Sequence, residues 1–302
     1  MQLFKNTLTF KFNKYIFFTS TLSLILLITS VILLAINGFN LAVEFIGGTN
    51  INLLLEKTSI SEFRDNVNSL LVQKVEIVEI NNDDDMKSNF LLRTKFLEDE
   101  SVIIDKLIVI YPTLIINSID SFGPKLGSEL KTSARNAILL ALLLISLYIA
   151  IRFDRYYALG SLAALIHDVL ITIGILSVLN IEIGITIIAA LLTIVGYSLN
   201  DTIVIYDRIR ENIDKLINDS RSEIVNRSLN ETLNRTVVTT ITTLMVVIVL
   251  YFYGGAVLQP FALTLMIGII IGTYSSLFIA SPIMLFFEEK YPIPEYKEEE
   301  DY

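Results

Sequence analysis

Apolar residues gather in six long runs along this chain, at residues 15–36, 130–151, 156–179, 183–206, 236–255 and 261–287. A helix rises about 1.5 Å per residue and needs about 20 apolar residues to cross a bilayer, so each run is a candidate span. The second is the weakest by pattern. Lys131, Arg135 and Asn136 lie in its first turns, and its unbroken apolar stretch is only 137–151. Long basic side chains at a helix end can snorkel to the interface, so the run still counts as a span.

Between the first two runs the pattern changes period. Residues 37–129 are polar enough for a water-exposed domain. TNINLLLE (49–56) reads as a strand, 60–71 as a helix with Ser59 or Ser61 as N-cap, and KVEIVEI (74–80) alternates cleanly as a second strand. NNDDDMK (81–87) is a turn cluster, followed by a strand at 89–97, a helix at 98–110 with acids in its first turn, and a strand at 113–119. The order β-α-β-β-α-β is that of the ferredoxin-like split βαβ unit. The predicted fold is a membrane α-helical protein with six transmembrane helices and a ferredoxin-like α+β extracytoplasmic domain between helices 1 and 2. The division is 1–37 for the N-terminus and first helix, 38–129 for the α+β domain, 130–287 for helices 2–6, and 288–302 for an acidic, solvated tail.

Composition sharpens this picture. The mean hydropathy is +0.62 and 53% of the 302 residues are hydrophobic. The absence of cysteine excludes disulfides and thiolate metal sites, and a single histidine excludes a multi-histidine metal site. A net charge of −9 argues against nucleic acid as a partner. Lys5, Lys11 and Lys14 precede an apolar run too long for a signal peptide, so the first span is expected to stay uncleaved. Arg152, Arg155, Arg208, Arg210, Lys215, Arg221, Arg227 and Arg235 fall on the same side as that N-terminus, while loops 180–182 and 256–260 carry no Lys or Arg. Both termini are therefore expected to be cytoplasmic.

Three polar features interrupt the spans. Asn200-Asp201 lies inside the fourth run, where an aspartate costs about 2.5–3.5 kcal/mol at a helix centre. The apolar Ile203–Tyr206 stretch that follows argues for a residue within the span, against the alternative of a helix that ends early. His167-Asp168 sits near the middle of the third run. Neighbours in sequence point in different directions on a helix, so no simple ion pair between them is expected, and at least one should face another span. It is open whether this pair is a neutral structural contact or a proton-titrating site. In RTVVTTITT (235–243), Thr236, Thr239 or Thr240, and Thr243 make a polar stripe with Arg235 at its end. Threonines can bond their own helix, so the stripe alone proves little. Arginine keeps its charge while aspartate can lose it, which makes Asp201 and Arg235 a candidate switchable pair, bridged when Asp201 is ionised and released when it is protonated. Gly268 and Gly272 have the spacing of a helix-packing face, and Pro282 is expected to kink the last span.

GYSLNDTIVIYDRIREN (196–212) resembles the signature of the SecF family of bacterial protein-translocase subunits. FIGGTNI (45–51) resembles the family's GG motif, and FGPKLGSEL (122–130), RFDRYYALGSLAALIHDVLIT, NETLNRTVVTTITTL and the stretch from GGAVLQPF to ASPIML resemble the rest of it. One departure is Glu44, where the family usually carries Asp; the charge is kept. The resemblance implies half of a resistance-nodulation-division bundle that pairs with SecD in the bacterial inner membrane. It implies association with the SecYEG channel, the SecA motor, and the accessory proteins YajC and YidC. It implies use of the proton-motive force, or of a sodium gradient, to move unfolded polypeptide outward late in transit, with no enzyme activity and no cofactor. By motif position Asp201, with Asn200 beside it, and Arg235 would carry the ion coupling, His167-Asp168 would contribute, and Gly47-Gly48 would be the hinge of the α+β domain. A small-molecule exporter would normally carry twelve spans in one chain. An intramembrane protease would need a GxSG-like serine or a GxGD motif, and neither is present. A passive scaffold would leave Asp201 and Arg235 dispensable.

Overall fold

The computed structural model describes residues 10–70, 75–80, 86–97 and 100–291. Lys5, the turn cluster at 81–85, the start of the helix expected at 98, and the tail from 292 lie outside them. The chain divides into a helical unit and a sheet unit, the latter comprising Asn40–Ala137 with Glu182–Thr186.

The sheet unit follows the first helix, α1 (Phe12–Asn37). It opens with the short helix α2 (Val43–Ile46) and continues as β1 (Gly48–Glu56), α3 (Ile60–Leu70), β2 (Glu76–Ile80), β3 (Lys87–Thr94), α4 (Ser101–Ile110) and β4 (Ile115–Phe122). All pairings are antiparallel and the strand order is β2-β3-β1-β4. This is the ferredoxin-like arrangement expected from the sequence. Alternation on β1 puts Ile51, Leu53 and Leu55 on one face, where they bury against Phe90 and Leu92 of β3, Phe63 and Val67 of α3, and Leu107 of α4. The rings of Phe63 and Phe90 stack with centroids 4.5 Å apart. The last strand runs further than its residue pattern suggests, because it pairs along β1 as far as Gly48↔Phe122. A partner strand, not local propensity, sets that end.

The next helix, α5 (Pro124–Arg152), begins before its apolar run does. Its polar first half, up to Ala137, belongs to the sheet unit, and its apolar second half to the helical unit. A helix of 29 residues is about 44 Å long, more than the roughly 30 Å hydrocarbon core needs, so the polar turns can stand outside it. The sheet unit thus extends through the polar first turns of α5.

The helical unit holds α6 (Arg155–Val178), α7 (Ile185–Lys215), α8 (Arg221–Tyr253), α9 (Gly255–Ser275), a π-helical turn (Ser276–Ala280) and α10 (Ser281–Lys290). Among the described residues six helical segments are long and apolar enough to cross a membrane. The α6, α7 and α9–α10 segments form the interior, while α1, α5 and α8 expose broad apolar faces through Phe17, Leu143, Met245 and Phe252. Such faces suit lipid or a partner helix. Gly268 and Gly272 of α9 meet Ile194 and Ser198 of α7 so closely that a Cβ at Gly268 would lie 2.1 Å from Ile194 Cδ1. The glycine spacing thus serves close helix packing. The kink expected at Pro282 takes the form of the π-turn just before it. A proline has no N–H to donate and its ring collides with the carbonyl four residues back, here Phe278. The capping box of α8 is complete: Ser220 Oγ accepts from the Glu223 N–H and the Glu223 carboxylate accepts from the Ser220 N–H at 3.0 Å.

Candidate functional site

Helix α6 carries His167 and Asp168 into the centre of the helical unit, and Asp168 is fully buried. Its Oδ2 accepts from Ser198 Oγ of α7 at 2.7 Å and from Ser275 Oγ of α9 at 2.8 Å. Its Oδ1 lies 3.0 Å from His167 Nδ1. The expectation that these neighbours cannot pair is thus corrected. Nδ1 is the ring nitrogen nearer the backbone and the aspartate side chain is short, so the two atoms meet across one residue step. The other half of that expectation holds, because Asp168 also faces two other helices. Three helices therefore converge on one carboxylate. Gly272 makes room for it: a Cβ there would lie 2.9 Å from Ser198 Cβ and 3.5 Å from Asp168 Oδ2. Beside it, Thr202 Oγ1 and Ser276 Oγ are 3.0 Å apart, and Ser276 Oγ donates to the Gly272 carbonyl at the start of the π-turn. The His167 ring packs along Tyr274, whose hydroxyl donates to the Thr19 carbonyl of α1 at 2.7 Å. His167 Nε2 is buried without a hydrogen-bond partner.

Asp201 is one turn of α7 beyond Ser198 and shares its face, as the 3.6-residue period requires. The helix runs unbroken through this position to Lys215, so Asp201 is neither a cap nor a helix end. It is only 2% exposed, and its Oδ2 has no hydrogen-bond partner. Arg235 of α8 forms no ion pair with it among the described residues. Instead Arg235 is exposed and lines a cleft of about 390 Å³ together with Val204, Asp207, Arg208 and Glu211 of α7 and Glu231 of α8. Glu231 there accepts from Arg208 Nε at 2.6 Å, Asn212 Nδ2 at 2.8 Å and Arg227 Nε at 3.1 Å. Of the threonine stripe, Thr239 and Thr243 bond carbonyls of their own helix, and Thr240 meets Thr273 of α9 at 2.8 Å. Thr236 Oγ1 is buried and unpartnered. Asn200 is exposed on the flank of α7 and does not join the buried group.

The structure thus brings together His167, Asp168 and the Asp201 face of α7, and leaves Asn200 and Arg235 apart from them. Ser198, Thr202, Ser275 and Ser276 were not singled out from the sequence. The i, i+3, i+4 spacing of Ser198, Asp201 and Thr202 was the available signal.

Gly47 and Gly48 lie in the sheet unit, in crowded backbone. Gly47 has φ +79°, and a Cβ on it would lie 2.9 Å from Pro124 Cα. A Cβ on Gly48 would lie 2.8 Å from the Thr94 carbonyl oxygen. Here the pair permits close approach of β1, β3 and the start of α5. The segment 182–186, the loop before α7 with its first two residues, belongs to the same unit. The Ile183 N–H donates to the Asn40 carbonyl at 2.7 Å and its carbonyl accepts from Ala42 at 3.1 Å. Glu182 pairs with Arg93 of β3, and Glu44 of α2 accepts from the Ile185 N–H at 2.7 Å. Burial raises the pKa of Glu182 above the usual carboxylate range, opposed by Arg93 and reinforced by Glu76 and Glu44.

Comparison with known proteins bears on what this site belongs to. The family described as "Protein export membrane protein SecD/SecF, C-terminal" matches residues 103–290, and the "SecD/SecF GG Motif" matches 32–59. A protein translocase subunit SecF of Calditerrivibrio nitroreducens is 40% identical over 268 residues, covering 86% of this chain and 88% of the relative. One of Escherichia coli O157:H7 is 37% identical over 285 residues, covering 91% and 87%. The crystal structure of SecDF from Thermus thermophilus, titled a translocon-associated membrane protein, is 36% identical with a TM-score of 0.85. SecDF in a super-membrane-facing form is 35% identical with a TM-score of 0.71. Each of these matches covers 96% of this chain but 40% of the SecDF chain, so the protein spans less than half the length of those structures. Six membrane-crossing helices, the GG-motif junction and the match along the chain agree: it is a multi-pass membrane protein of the SecD/SecF protein-export family, on the SecF side of that family.

Proposed function

We propose that this chain works with a SecD partner in the bacterial inner membrane, drawing on an ion gradient to assist late translocation of unfolded polypeptide through SecYEG. Asp201 carries the reading. A buried carboxylate oxygen without a partner is costly unless it takes up a proton or a cation. Arg235 stands off from it, at a cleft that begins one turn away at Val204. This arrangement suits the released member of the pair, with Asp201 protonated. Loss of the proton would draw Arg235 in. One charge crossing 100 mV supplies about 2.3 kcal/mol, enough to shift a two-state equilibrium by tens-fold. The two SecDF structures, matched at TM-scores of 0.85 and 0.71 over the same share of this chain, are consistent with a family that adopts more than one arrangement. The basic residues beside the α7–α8 turn favour cytoplasmic termini. SecA, YajC and YidC are the further partners this reading carries; it requires no enzyme activity and no cofactor beyond the proton or sodium ion itself.

The test is release of a secreted protein from spheroplasts, with and without a protonophore or a sodium ionophore, in wild type and Asp201→Asn. Ionophore-sensitive release in wild type, with slow and insensitive release in the variant, supports the reading. Wild-type release and sensitivity in the variant would return Asp201 to a structural role and the chain to a scaffold.

A further inference from the structure

Helix α7 carries Asp201, yet its first residues are held by the sheet unit. Ile185 opens the helix, and its N–H has no intrahelical partner, as in any first turn. Glu44 supplies one, 2.7 Å away. That approach depends on Gly184, where a Cβ would lie 2.3 Å from Glu44 Oε2. The tie is not isolated. The preceding residue, Ile183, bridges Leu41 as a short parallel strand pair, and Glu182 pairs with Arg93 of β3. Glu44 itself sits on α2, directly before Gly47 and Gly48, and its helix is seated where Gly127 of α5 meets the Phe45 carbonyl, so closely that a Cβ on Gly127 would lie 3.0 Å from that oxygen. The segment before β1 and the beginning of α7 are therefore one packed body, while α7 continues from it as an uninterrupted helix through position 201.

We infer that Glu44 is a positioning residue that ties the first turn of α7 to the GG-motif segment, so that a displacement of the Asp201 helix is carried into the sheet unit through that tie. The inference rests on the gradient reading above. A helix is stiff along its axis, and α7 from Ile185 to Asp201 has no proline and no break. A displacement at Asp201 therefore arrives at Ile185 rather than being absorbed on the way. What it moves there is decided by the contacts of residues 182–185. The backbone bridge and the Glu182–Arg93 pair would persist without Glu44, but neither holds the helix itself. Glu44 alone among these contacts bonds a residue of α7.

The chain contains no cysteine, which allows a covalent test in the full chain assembled with its partner. Glu44→Ala is expected to lower gradient-dependent export about tenfold, while the ion flux that depends on Asp201 and the recovery of the partner on purification stay at wild-type level. Glu44→Gln keeps an acceptor oxygen and is expected to retain most of the export. Glu44→Cys with Ile185→Cys, oxidised to a disulfide, replaces the tie on the helix itself and is expected to restore export; reduction should remove the rescue. Wild-type export in Glu44→Ala, or loss that the disulfide does not rescue, overturns the tie. Asp201→Asn is run in parallel. If it is impaired while Glu44→Ala is not, only the tie fails; if it is normal, the gradient reading fails and the tie with it.

Discussion

Asp168 and Asp201 lie on neighbouring helices, both out of reach of water, and differ in what surrounds them. Asp168 has partners on both oxygens: two serine hydroxyls from two other helices, and the adjacent imidazole. Asp201 has an oxygen with none, and the arginine that could answer it stands apart at a cleft. A carboxylate whose oxygens are engaged gains little from a change of ionisation, because each new state breaks contacts already made. A carboxylate with an open oxygen changes its interactions with every proton taken or lost. The comparison teaches that burial of an acid within a span does not by itself mark an ion site. On the proposed reading, the number of donors around it separates a packing hub from a switch.

The largest effect is expected from Asp201→Asn: gradient-sensitive export should fall about tenfold or more, with accumulation in the membrane unchanged, read by ionophore-sensitive release against protein level. Asp168→Ala should do the reverse in kind. Interhelical hydrogen bonds in membranes average about 0.6 kcal/mol each, so losing the two from Ser198 and Ser275 should cost about 1 kcal/mol of stability, read by unfolding in mixed micelles. Should Asp168→Ala remain as stable as wild type yet lose export, the distinction drawn between the two acids is wrong. Ser198→Ala and Ser275→Ala sharpen the same point, each removing about 0.6 kcal/mol.

The smallest effect concerns the sheet unit. Glu182 has a folded pKa raised above its ordinary 4.5, with burial as the main cause. The protonated form is thus favoured by folding. Its contribution to stability is full below the ordinary value and is lost as pH rises through the raised one. Amide exchange of β3 and residues 182–186 in the full chain should slow on acidification toward that range, and Glu182→Gln should flatten the dependence. A steeper dependence in Glu182→Gln would assign the titration to another group, with Glu76 and Glu44 the nearest acids.

Much of this architecture was legible along the chain. The apolar runs marked six spans because a bilayer admits only long apolar helices. The change to period-two alternation marked the sheet, and the order of elements implied its topology. Asp201 stood out because a charge inside a span is rare. Ser198 and Ser275 did not stand out. Serine is common and cheap within helices, and nothing in TYSSLFIASP tells which hydroxyl reaches a carboxylate on another helix. The contact of His167 with Asp168 ran against the helical-wheel argument, which treats side chains as directions and ignores their reach. The hinge role of Gly47 and Gly48 came from the family resemblance, while their crowded setting near Pro124 and Thr94 is visible only in the structure.

Which segments enter the membrane, where the α+β domain is inserted, and that polar residues occupy positions of high cost could all be read along the chain, because each depends only on local hydropathy and period. Tertiary structure alone decided which buried acid is satisfied and which is open, that Arg235 stands clear of Asp201, and that Glu44 holds the first turn of α7. Each of those depends on the meeting of atoms from helices or strands far apart in the chain, and a pattern along one segment carries no information about the donors its neighbours bring.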